Sequence, residues 1–294
     1  MEEKTKKKQH RWRVVLLLFL SSVASVLLST YGLAVTHYEI ASSKLTAPVR
    51  IVHLTDLHNT DFGEKNCRLI SKVAEQKPDL ILITGDLLNY NEERTDIAEN
   101  VISDLSEICP VYVSYGNHEK TYERLSGTDL SELYSSAGAE VLEFSTAKIS
   151  VNGEDLCIGG FYGYGVPAKY LATKEADEIE VKYLQEMEKE NIYTVLLCHM
   201  PMSWLRLNAL ENWKIDCVLT GHVHGGQIRF PLIGGLWAPD QGWFPGNDCG
   251  MYVSKDGTRF MELSRGLGST EKIPRFNNTP EIVVLDLLPE RGGD

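Results

Sequence analysis

The chain has only six cysteines, and their spacing excludes several kinds of site. There is no C-x-x-C pair, and no spacing matches a zinc ribbon or a small disulfide scaffold. Cys198 and Cys217 lie inside apolar runs, where we expect them to pack as small hydrophobic side chains. An exported domain can still form a disulfide, but the sequence indicates no particular pair. We therefore assign no function to any cysteine.

Positive charge is also scarce. The chain carries 29 Lys and Arg against 41 Asp and Glu, and its formal net charge is −12. Six of the basic residues precede residue 14, so the part that follows residue 35 has 23 basic and 39 acidic side chains, a charge of −16. The excess of acidic residues, and the absence of a segment that combines basic and aromatic residues, argue against an extracellular nuclease. We therefore expect no nucleic-acid partner. An anionic substrate would need a local positive feature, such as bound metal ions.

A long uncharged run lies near the N-terminus. Val14–Val35 holds 22 residues without a charge and follows a basic segment, residues 1–13. A transmembrane helix needs about 20 apolar residues, and the basic flank predicts a cytoplasmic N-terminus and an extracytoplasmic domain. The alternative is a cleaved signal peptide, because residues 32–34 include small side chains at a suitable point and four serines dilute the run. We favour the uncleaved anchor of a single-pass cell-membrane protein.

The rest of the chain suits one sizeable domain. We interpret residues 36–47 as a linker and residues 48–294 as this domain. Six apolar runs have the length of buried strands; they are Arg50–Asp56, Asp79–Thr84, Val111–Tyr115, Thr194–Cys198, Ile215–Thr220 and Ile282–Leu287. Helical patterns alternate with several of them, at Lys65–Gln76, Arg94–Glu107, Leu130–Ala137 and Glu175–Lys189. The alternation predicts an α/β fold with a largely parallel sheet, and Asn152-Gly153 predicts one antiparallel hairpin between residues 148–151 and 155–158.

Polar residues follow almost every predicted strand. Five segments end in this way; in chain order they contribute Asp56 and His58, Gly85-Asp86, Asn117 with His118, His199, and His222 with His224. Carboxyl ends of parallel strands form one edge of a sheet, so these segments can converge. Residues two apart in an extended chain point to the same side, so D-x-H and H-x-H can each present two ligands together. Three other histidines do not follow a predicted strand; they are His10, His37 and His53. We expect His53 to be a packed strand residue.

Each of these motifs is weak by itself, but their combination and order are specific. The blocks D-x-H, G-D, G-N-H-[DE], H and G-H-x-H all occur between Asp56 and His224, and they resemble those of the calcineurin-like metallophosphoesterase superfamily. The resemblance covers Arg50 to Leu287. It is strongest to a membrane-anchored bacterial subgroup, because the chain also has the N-terminal run, Gly-Gly-Gln after His224 and Arg-Gly-Leu-Gly at 265–268.

The resemblance implies a four-layer α/β/β/α sandwich of two mixed β-sheets flanked by helices. It also implies two divalent metal ions: one held by Asp56, His58 and His224, the other by Asn117, His199 and His222, with Asp86 as the bridge. Oxygen and nitrogen ligands without sulfur suit Mn²⁺, Fe or Zn²⁺. Two such ions can hold a bridging hydroxide as the nucleophile and clamp a phosphoryl group.

His118 lies beside a ligand but is not needed as one. We interpret it as a general acid that protonates the leaving oxygen, oriented by Glu119 or by the Asp56 carboxylate. The alternative is a purely structural role for His118.

The residues that follow the G-D block, and the arginines elsewhere in the chain, indicate the substrate class. The chain lacks the Asp-Arg-Gly extension of the protein serine/threonine phosphatases in this superfamily, and no arginine clamp for a phosphomonoester is evident. We therefore favour a phosphodiester or pyrophosphate bond, although Arg229 and Arg265 remain candidates for such a clamp. The alternatives are a phosphomonoesterase and a non-catalytic, metal-stabilised binding protein.

The segment Phe230–Gly246 is rich in Gly, Pro and aromatic residues and follows directly on the last predicted ligands. Its aromatic side chains either pack a long loop onto the core or meet an acyl chain or the bilayer surface. Related anchored enzymes cleave a nucleotide-activated acylated sugar, which by analogy makes a lipid-linked or nucleotide-activated phosphate ester a candidate substrate.

Overall fold

The structure, a computed structural model, describes residues 2–163, 173, 179–269 and 274–290. The helices are α1 (Glu2–Tyr31), α2 (Cys67–Glu75), α3 (Asp96–Ser106), α4 (Asn117–Ser126), α5 (Leu130–Ser136), α6 (Ile179–Met187), α7 (Met202–Arg206) and α8 (Ala209–Asn212). Short 3-10 turns cover Glu64–Asn66 and His224–Gly226.

The strands of the first sheet are β1 (Ala34–Ser42), β2 (Val49–Leu54), β3 (Leu80–Ile83), β4 (Val111–Val113), β5 (Ala139–Val141) and β16 (Glu281–Pro289). Those of the second are β6 (Ser145–Val151), β7 (Glu154–Phe161), β8 (Tyr193–Cys198), β9 (Cys217–Thr220), β14 (Gly250–Val253) and β15 (Phe260–Leu263). Two small hairpins lie between β9 and β14: β10 (Arg229–Phe230) with β11 (Gly234–Gly235), and β12 (Trp237–Ala238) with β13 (Gly242–Trp243).

Within the described residues, both large sheets are mixed. The first has the order β1-β16-β2-β3-β4-β5, and β2 to β5 pair in parallel. The second has the order β14-β15-β9-β8-β7-β6, with a parallel centre from β15 to β7 and an antiparallel strand at each edge. The predicted hairpin is present as β6 and β7, and both Asn152 (φ 56°) and Gly153 (φ 83°) have the left-handed backbone of a two-residue turn.

Alternate residues along each strand divide the interior into three apolar clusters. Val52, Leu54, Ile81 and Ile83 point to α2, α3 and α5 on the outside of the first sheet. Their neighbours Ile51, Leu80 and Leu82 point inward and pack on the second sheet, against residues such as Ile158, Val195 and Leu219. A third cluster joins the far face of the second sheet to α6, α7 and α8. The result is the four-layer α/β/β/α sandwich of two mixed sheets, so the predicted fold class is confirmed.

The helical patterns are also present, with shorter boundaries. Three of them correspond to α2, α3 and α5. The fourth, Glu175–Lys189, corresponds to α6, although its residues 175–178 lie outside the described residues.

The predicted linker over residues 36–47 is wrong. Residues 34–42 form β1, which pairs in parallel with β16 from Ala34–Glu281 to Ser42–Pro289. The following turn is also fixed, because the backbone N–H groups of Thr46 and Ala47 donate to Glu154 at 2.6 and 2.8 Å. The folded unit therefore begins before residue 48. The C-terminal end of the predicted Val14–Val35 span is wrong for the same reason, since α1 ends at Tyr31 and Ala34 already belongs to the sheet.

Helix α1 is long and apolar enough to cross a membrane. Its candidate span, Gln9–Tyr31, has 23 residues, and an 18-residue window within it has a mean hydropathy of 2.2. Only 6% of that window is buried against the rest of the protein, which distinguishes it from a core helix.

Candidate metal centre and active site

The carboxyl ends of strands from both sheets meet at one edge of the sandwich. Three segments follow β2, β3 and β4, and two follow β8 and β9; in chain order they contribute Asp56 and His58, Asp86, Asn117, His199, and His222 with His224. Among the described residues, three groups have ligand atoms within 4.8 Å of one another: Asp56, His58 and His224; Asp86, His199 and His222; and His58, Asp86 and His118. The convergence expected from the sequence is therefore present, and Asp86 belongs to two of these groups.

Several of these ligand atoms are buried without a hydrogen-bond partner in the described part of the chain. The unpartnered atoms include both ring nitrogens of His58, Oδ1 of Asn117 and Nδ1 of His224. An unsatisfied buried polar atom costs about 1–3 kcal/mol, and several in one cluster would be a heavy penalty for a protein without a ligand there. Divalent cations would bind the acceptor atoms among them, namely one ring nitrogen of each histidine and the amide oxygen, so these residues fit a divalent metal centre.

The backbone of the cluster is unusual as well. Asp56, His58, Asp86, His222 and His224 all have positive φ, between 49° and 73°. Residues with a side chain rarely adopt this conformation, and it occurs at functional sites where the surroundings impose it. Glycines admit the close approach that results. A Cβ on Gly116 would clash with the Asp86 carboxylate, and one on Gly221 would clash with Asp56.

The two carboxylates are held ionised. Burial alone would raise the pKa of Asp56 and Asp86, but the neighbouring histidines, chiefly His224 for Asp56 and His199 for Asp86, bring both pKa values below the usual one. Backbone N–H groups also donate to them, from His222 to Asp56 at 3.1 Å and from His118 to Asp86 at 2.8 Å. Two buried anions among histidines form a site that attracts cations.

The hydrogen bond that His199 donates through Nδ1 turns its Nε2 toward Asp86. Its Nδ1 lies 2.7 Å from the carbonyl oxygen of Thr84, so this nitrogen must donate a proton. Its Nε2 lies 3.1 Å from Oδ2 of Asp86. Burial would lower the pKa of His199, but Asp86 outweighs it and raises the pKa to about 9 in the metal-free protein. A proton at neutral pH thus occupies the nitrogen that a metal ion would use.

His118 lies at the start of α4, with its ring edge-on to His58 at a centroid distance of 4.6 Å. Its Nδ1 accepts a hydrogen bond of 3.2 Å from the backbone N–H of Tyr90, so the neutral ring carries its proton on Nε2. Burial lowers the pKa of His118 to about 4, against the opposing charge of Asp86.

The two carboxylates expected to orient His118 do something else. Glu119 accepts hydrogen bonds from the backbone N–H groups of Asp86, Leu87 and Gly116 at 2.7–2.9 Å and thereby ties α4 to the turn after β3. The Asp56 carboxylate instead accepts from the His222 backbone. That part of the prediction is wrong, because the Tyr90 backbone holds the ring.

Sequence reasoning missed two side chains that hold the ligands from behind. Asp240, between β12 and β13, places Oδ2 3.0 Å from Nε2 of His222 and so leaves Nδ1 of that ring for a metal. The Asn278 amide donates to the carbonyl oxygen of His224 at 2.7 Å. Neither residue follows a parallel strand, so the pattern of polar residues at strand ends could not predict them.

The suggested arginine clamps are engaged elsewhere. Arg229 pairs with Asp248 at 3.0 Å, and Arg265 pairs with Glu281 at 2.7 Å. His53 is buried and does more than pack, because its ring bridges Glu262 at 2.6 Å and Thr84 at 2.8 Å between the two sheets. All six cysteines are free.

A two-sheet α/β sandwich with a buried Asp, Asn and His cluster at the carboxyl edge of both sheets defines a metal-dependent hydrolase. Residues 49–226 match the family model described as calcineurin-like phosphoesterase. The chain belongs to this family and is a metal-dependent phosphoesterase.

Individual proteins extend the comparison. "Phosphodiesterase YaeI" of Escherichia coli is 30% identical over 291 residues, which cover 92% of this chain and 98% of that protein. A "Transmembrane protein with metallophosphoesterase domain" from Danio rerio is 29% identical over 72% of this chain and 51% of that protein. The crystal structure of a 5'-nucleotidase precursor from Thermus thermophilus is similar over 82% of this chain and 54% of that one, with 16% identity and a TM-score of 0.47.

Proposed function

We propose that this chain is a two-metal phosphoesterase that hydrolyses a phosphodiester or pyrophosphate bond. The observation that carries the proposal is the pair of adjacent ligand groups, Asp56 with His58 and His224, and Asp86 with His199 and His222. His58 and Asp86 also belong to a common third group, and several ligand atoms in the cluster are buried without a hydrogen-bond partner. In the proposed arrangement Asp56, His58 and His224 would hold one ion, Asn117, His199 and His222 would hold the other, and Asp86 would contribute to both sites. Mn²⁺, Fe or Zn²⁺ suits these ligands. When bound, the ions supply Lewis acidity and lower the pKa of the attacking water.

We assign the proton transfer to His118. The Tyr90 N–H occupies Nδ1 and leaves Nε2 available to the leaving oxygen of a substrate. The charge of a bound phosphate favours the protonated ring, which burial alone disfavours, so the acid forms when a substrate is present. Asn117, next to it on α4, contributes an amide oxygen to the metal site.

Two observations support a diester or pyrophosphate rather than a monoester. Arg229 and Arg265 are paired with acidic side chains and are not placed to clamp a dianionic phosphate. The relative from Escherichia coli carries the name phosphodiesterase. Phosphomonoester hydrolysis is the alternative activity at the same centre.

We further propose that the enzyme is held in the cell membrane by α1 as a single span, with the catalytic domain on the extracytoplasmic side. The apolar window of α1 and the basic residues that precede it support this orientation. A substrate at that surface would be a phosphate ester that is lipid-linked or nucleotide-activated.

The test uses the full-length protein in detergent with Mn²⁺, and paired aryl phosphate mono- and diesters as substrates. We expect diester turnover by the wild type, and loss of both turnover and bound metal in Asp86→Ala. His118→Asn should keep its metal but lose about 10²–10⁴ in kcat, as removal of a general acid does. His37→Asn, which changes an exposed histidine on β1, is the matched control.

Leaving-group dependence makes the His118 assignment specific. A general acid matters little for a nitrophenolate, which leaves without a proton, and much for a poorer leaving group. The His118→Asn defect should therefore grow from nitrophenyl to phenyl diesters. An equal defect on both would assign His118 a structural role, and equal turnover by wild type and Asp86→Ala would refute the two-metal mechanism.

A further inference from the structure

The two small hairpins after His224 expose large apolar side chains. The turn of the first presents Phe230, Leu232 and Ile233, and the open end of the second, next to the first hairpin, presents Trp243 and Phe244; we call these five residues the apolar tip. Leu232 is fully exposed, and Ile233 and Trp243 are 65% and 67% exposed. Several large apolar side chains exposed on two adjoining hairpins mark an interaction site rather than ordinary surface variation.

The apolar tip is held in place rather than loose. Asp248 accepts a hydrogen bond from the backbone N–H of Gly235 and pairs with Arg229, so it closes the first hairpin. The backbone N–H of Phe244 donates to Leu236 at 2.7 Å and attaches the second hairpin to the first. Leu232 and Phe244 also have positive φ, 69° and 52°, a strained conformation for bulky side chains. Both exposed residues therefore adopt a backbone conformation that costs free energy.

Helix α1 is linked to the base of the first hairpin. The backbone N–H groups of Asn277 and Asn278 donate to the hydroxyls of Ser25 and Ser29 at 2.9 and 3.0 Å. The Asn277 amide in turn donates to the carbonyl oxygen of Arg229, at the base of the first hairpin. Ser25 is six residues before the end of α1 at Tyr31, about 9 Å along the helix axis. The domain therefore contacts the helix within the last two turns of its candidate span.

That contact fixes the level of the bilayer relative to the domain. If Gln9–Tyr31, about 34 Å long, crosses the hydrocarbon layer of about 30 Å, Ser25 lies within about 9 Å of its far boundary and Ser29 within about 3 Å, where the acyl chains meet the head groups. The base of the first hairpin then lies at the same level. Tryptophan and phenylalanine are enriched at this depth because their rings suit the boundary between acyl chains and head groups.

We propose that the apolar tip inserts into the interface of the same bilayer that α1 crosses. The hairpins also carry Asp240, which contacts the metal ligand His222, and the backbone of Leu236 donates to Gly226 next to His224. The surface that meets the lipid and the catalytic centre therefore belong to one hydrogen-bonded unit. The inference rests on the proposed membrane location of α1 and does not depend on the reaction catalysed.

Fluorescence quenching by brominated lipids tests this docking. Full-length protein is reconstituted into phosphatidylcholine and phosphatidylglycerol vesicles with or without bromine on the upper acyl chain. The difference between wild type and Trp243→Phe isolates the emission of Trp243. We expect bromine to quench that emission, and we expect Leu232→Glu/Ile233→Glu to abolish the quenching because charges at the tip withdraw it from the bilayer.

Leu125→Glu is the matched control, since Leu125 is an equally apolar side chain on α4 that is 63% exposed, and its quenching should equal that of the wild type. The proposal would be overturned if bromine leaves the Trp243 emission unchanged, or if the double substitution leaves the quenching unchanged. It would also be overturned if the Trp243 emission changes only with the protein-to-lipid ratio, because the apolar tip would then contact a second copy of the chain. Turnover of a soluble diester, measured in every sample, reports separately on the proposed function.

Discussion

Two backbone groups decide which ring nitrogens of the centre are chemically available. The carbonyl oxygen of Thr84 accepts a hydrogen bond from Nδ1–H of His199, and the backbone N–H of Tyr90 donates to Nδ1 of His118. Neither group is identifiable from a sequence motif, because any residue can supply a backbone N–H or carbonyl. The same fold that brings the side chains together therefore also sets their tautomers.

The affinity of the metal-free protein for Mn²⁺ should rise with pH. His199 has a pKa raised to about 9, so at pH 7 a proton must leave before its Nε2 can bind an ion. Each pH unit between about 7 and 9 should increase the apparent association constant, by up to about tenfold. Calorimetry in buffers of different ionisation enthalpy measures the proton release directly. Binding that is independent of pH in this range, with no proton released, would contradict the assignment.

Asp240→Asn should weaken metal binding without unfolding the protein. The carboxylate fixes the ring of His222 and increases its basicity, and removal of such a partner costs about 10–100-fold in metal affinity. Asp155→Asn makes the same charge change at an exposed position of β7 and serves as the control. Equal affinities in the two variants, measured by competition with a chelating dye, would show that Asp240 does not support the site.

The residues of the cluster were predictable to different degrees. Asp56, Asp86 and the three ligands after β8 and β9 follow strands directly, so the end of an apolar run locates them. Asp240 lies in a loop between two two-residue strands, where no periodicity exists to place it. The role of Glu119 was equally hidden, since only the structure reveals three backbone donors around one carboxylate.

Among the elements, β1 departs most from expectation. Val35, Tyr38 and Ile40 are strand-forming residues at near-alternate positions, but polar neighbours and the adjacent apolar run concealed the pattern. Parallel pairing with β16, at the far end of the chain, stabilises the strand, and no local signal predicts such a distant partner.

A truncated chain that starts at Val49 should be much less stable than one that starts at Gly32. The shorter chain loses β1 together with Ile40 and Leu45, which are 1% and 4% exposed, and it uncovers the edge of β16. Burial of two such side chains contributes roughly 3–6 kcal/mol. Urea unfolding of both chains measures the difference. Equal midpoints would mean that β1 is dispensable.

At the scale of the whole molecule, the candidate centre joins the two sheets. The first sheet supplies Asp56, His58, Asp86 and Asn117, and the second supplies the remaining three ligands. Alternating apolar strands and helices indicated the layers, but the pairing of two separate sheets came from the family resemblance. Periodicity reports which faces are buried and not which sheet covers them.

Removal of the metal ions should therefore lower the melting temperature. An ion present at a hundred times its dissociation constant stabilises the native state by about 2.7 kcal/mol. For a domain of this size that corresponds to roughly 5–10 °C. Differential scanning fluorimetry with Mn²⁺ and with EDTA measures the shift, and Asp86→Ala should show little of it. Identical melting curves for the wild type in both conditions would contradict a resident metal centre.

Only Gly32 and Leu33 separate the end of α1 from the start of β1. A two-residue connection gives the domain almost no reach, and the hydrogen bonds to Ser25 and Ser29 reduce its freedom further. If α1 crosses the bilayer as proposed, the enzyme is held at one height relative to the bilayer and meets a membrane-borne substrate by diffusion in two dimensions. Its rate on a membrane-borne substrate would then follow the mole fraction of that substrate in the leaflet, and diluting the vesicles would leave the rate per enzyme unchanged.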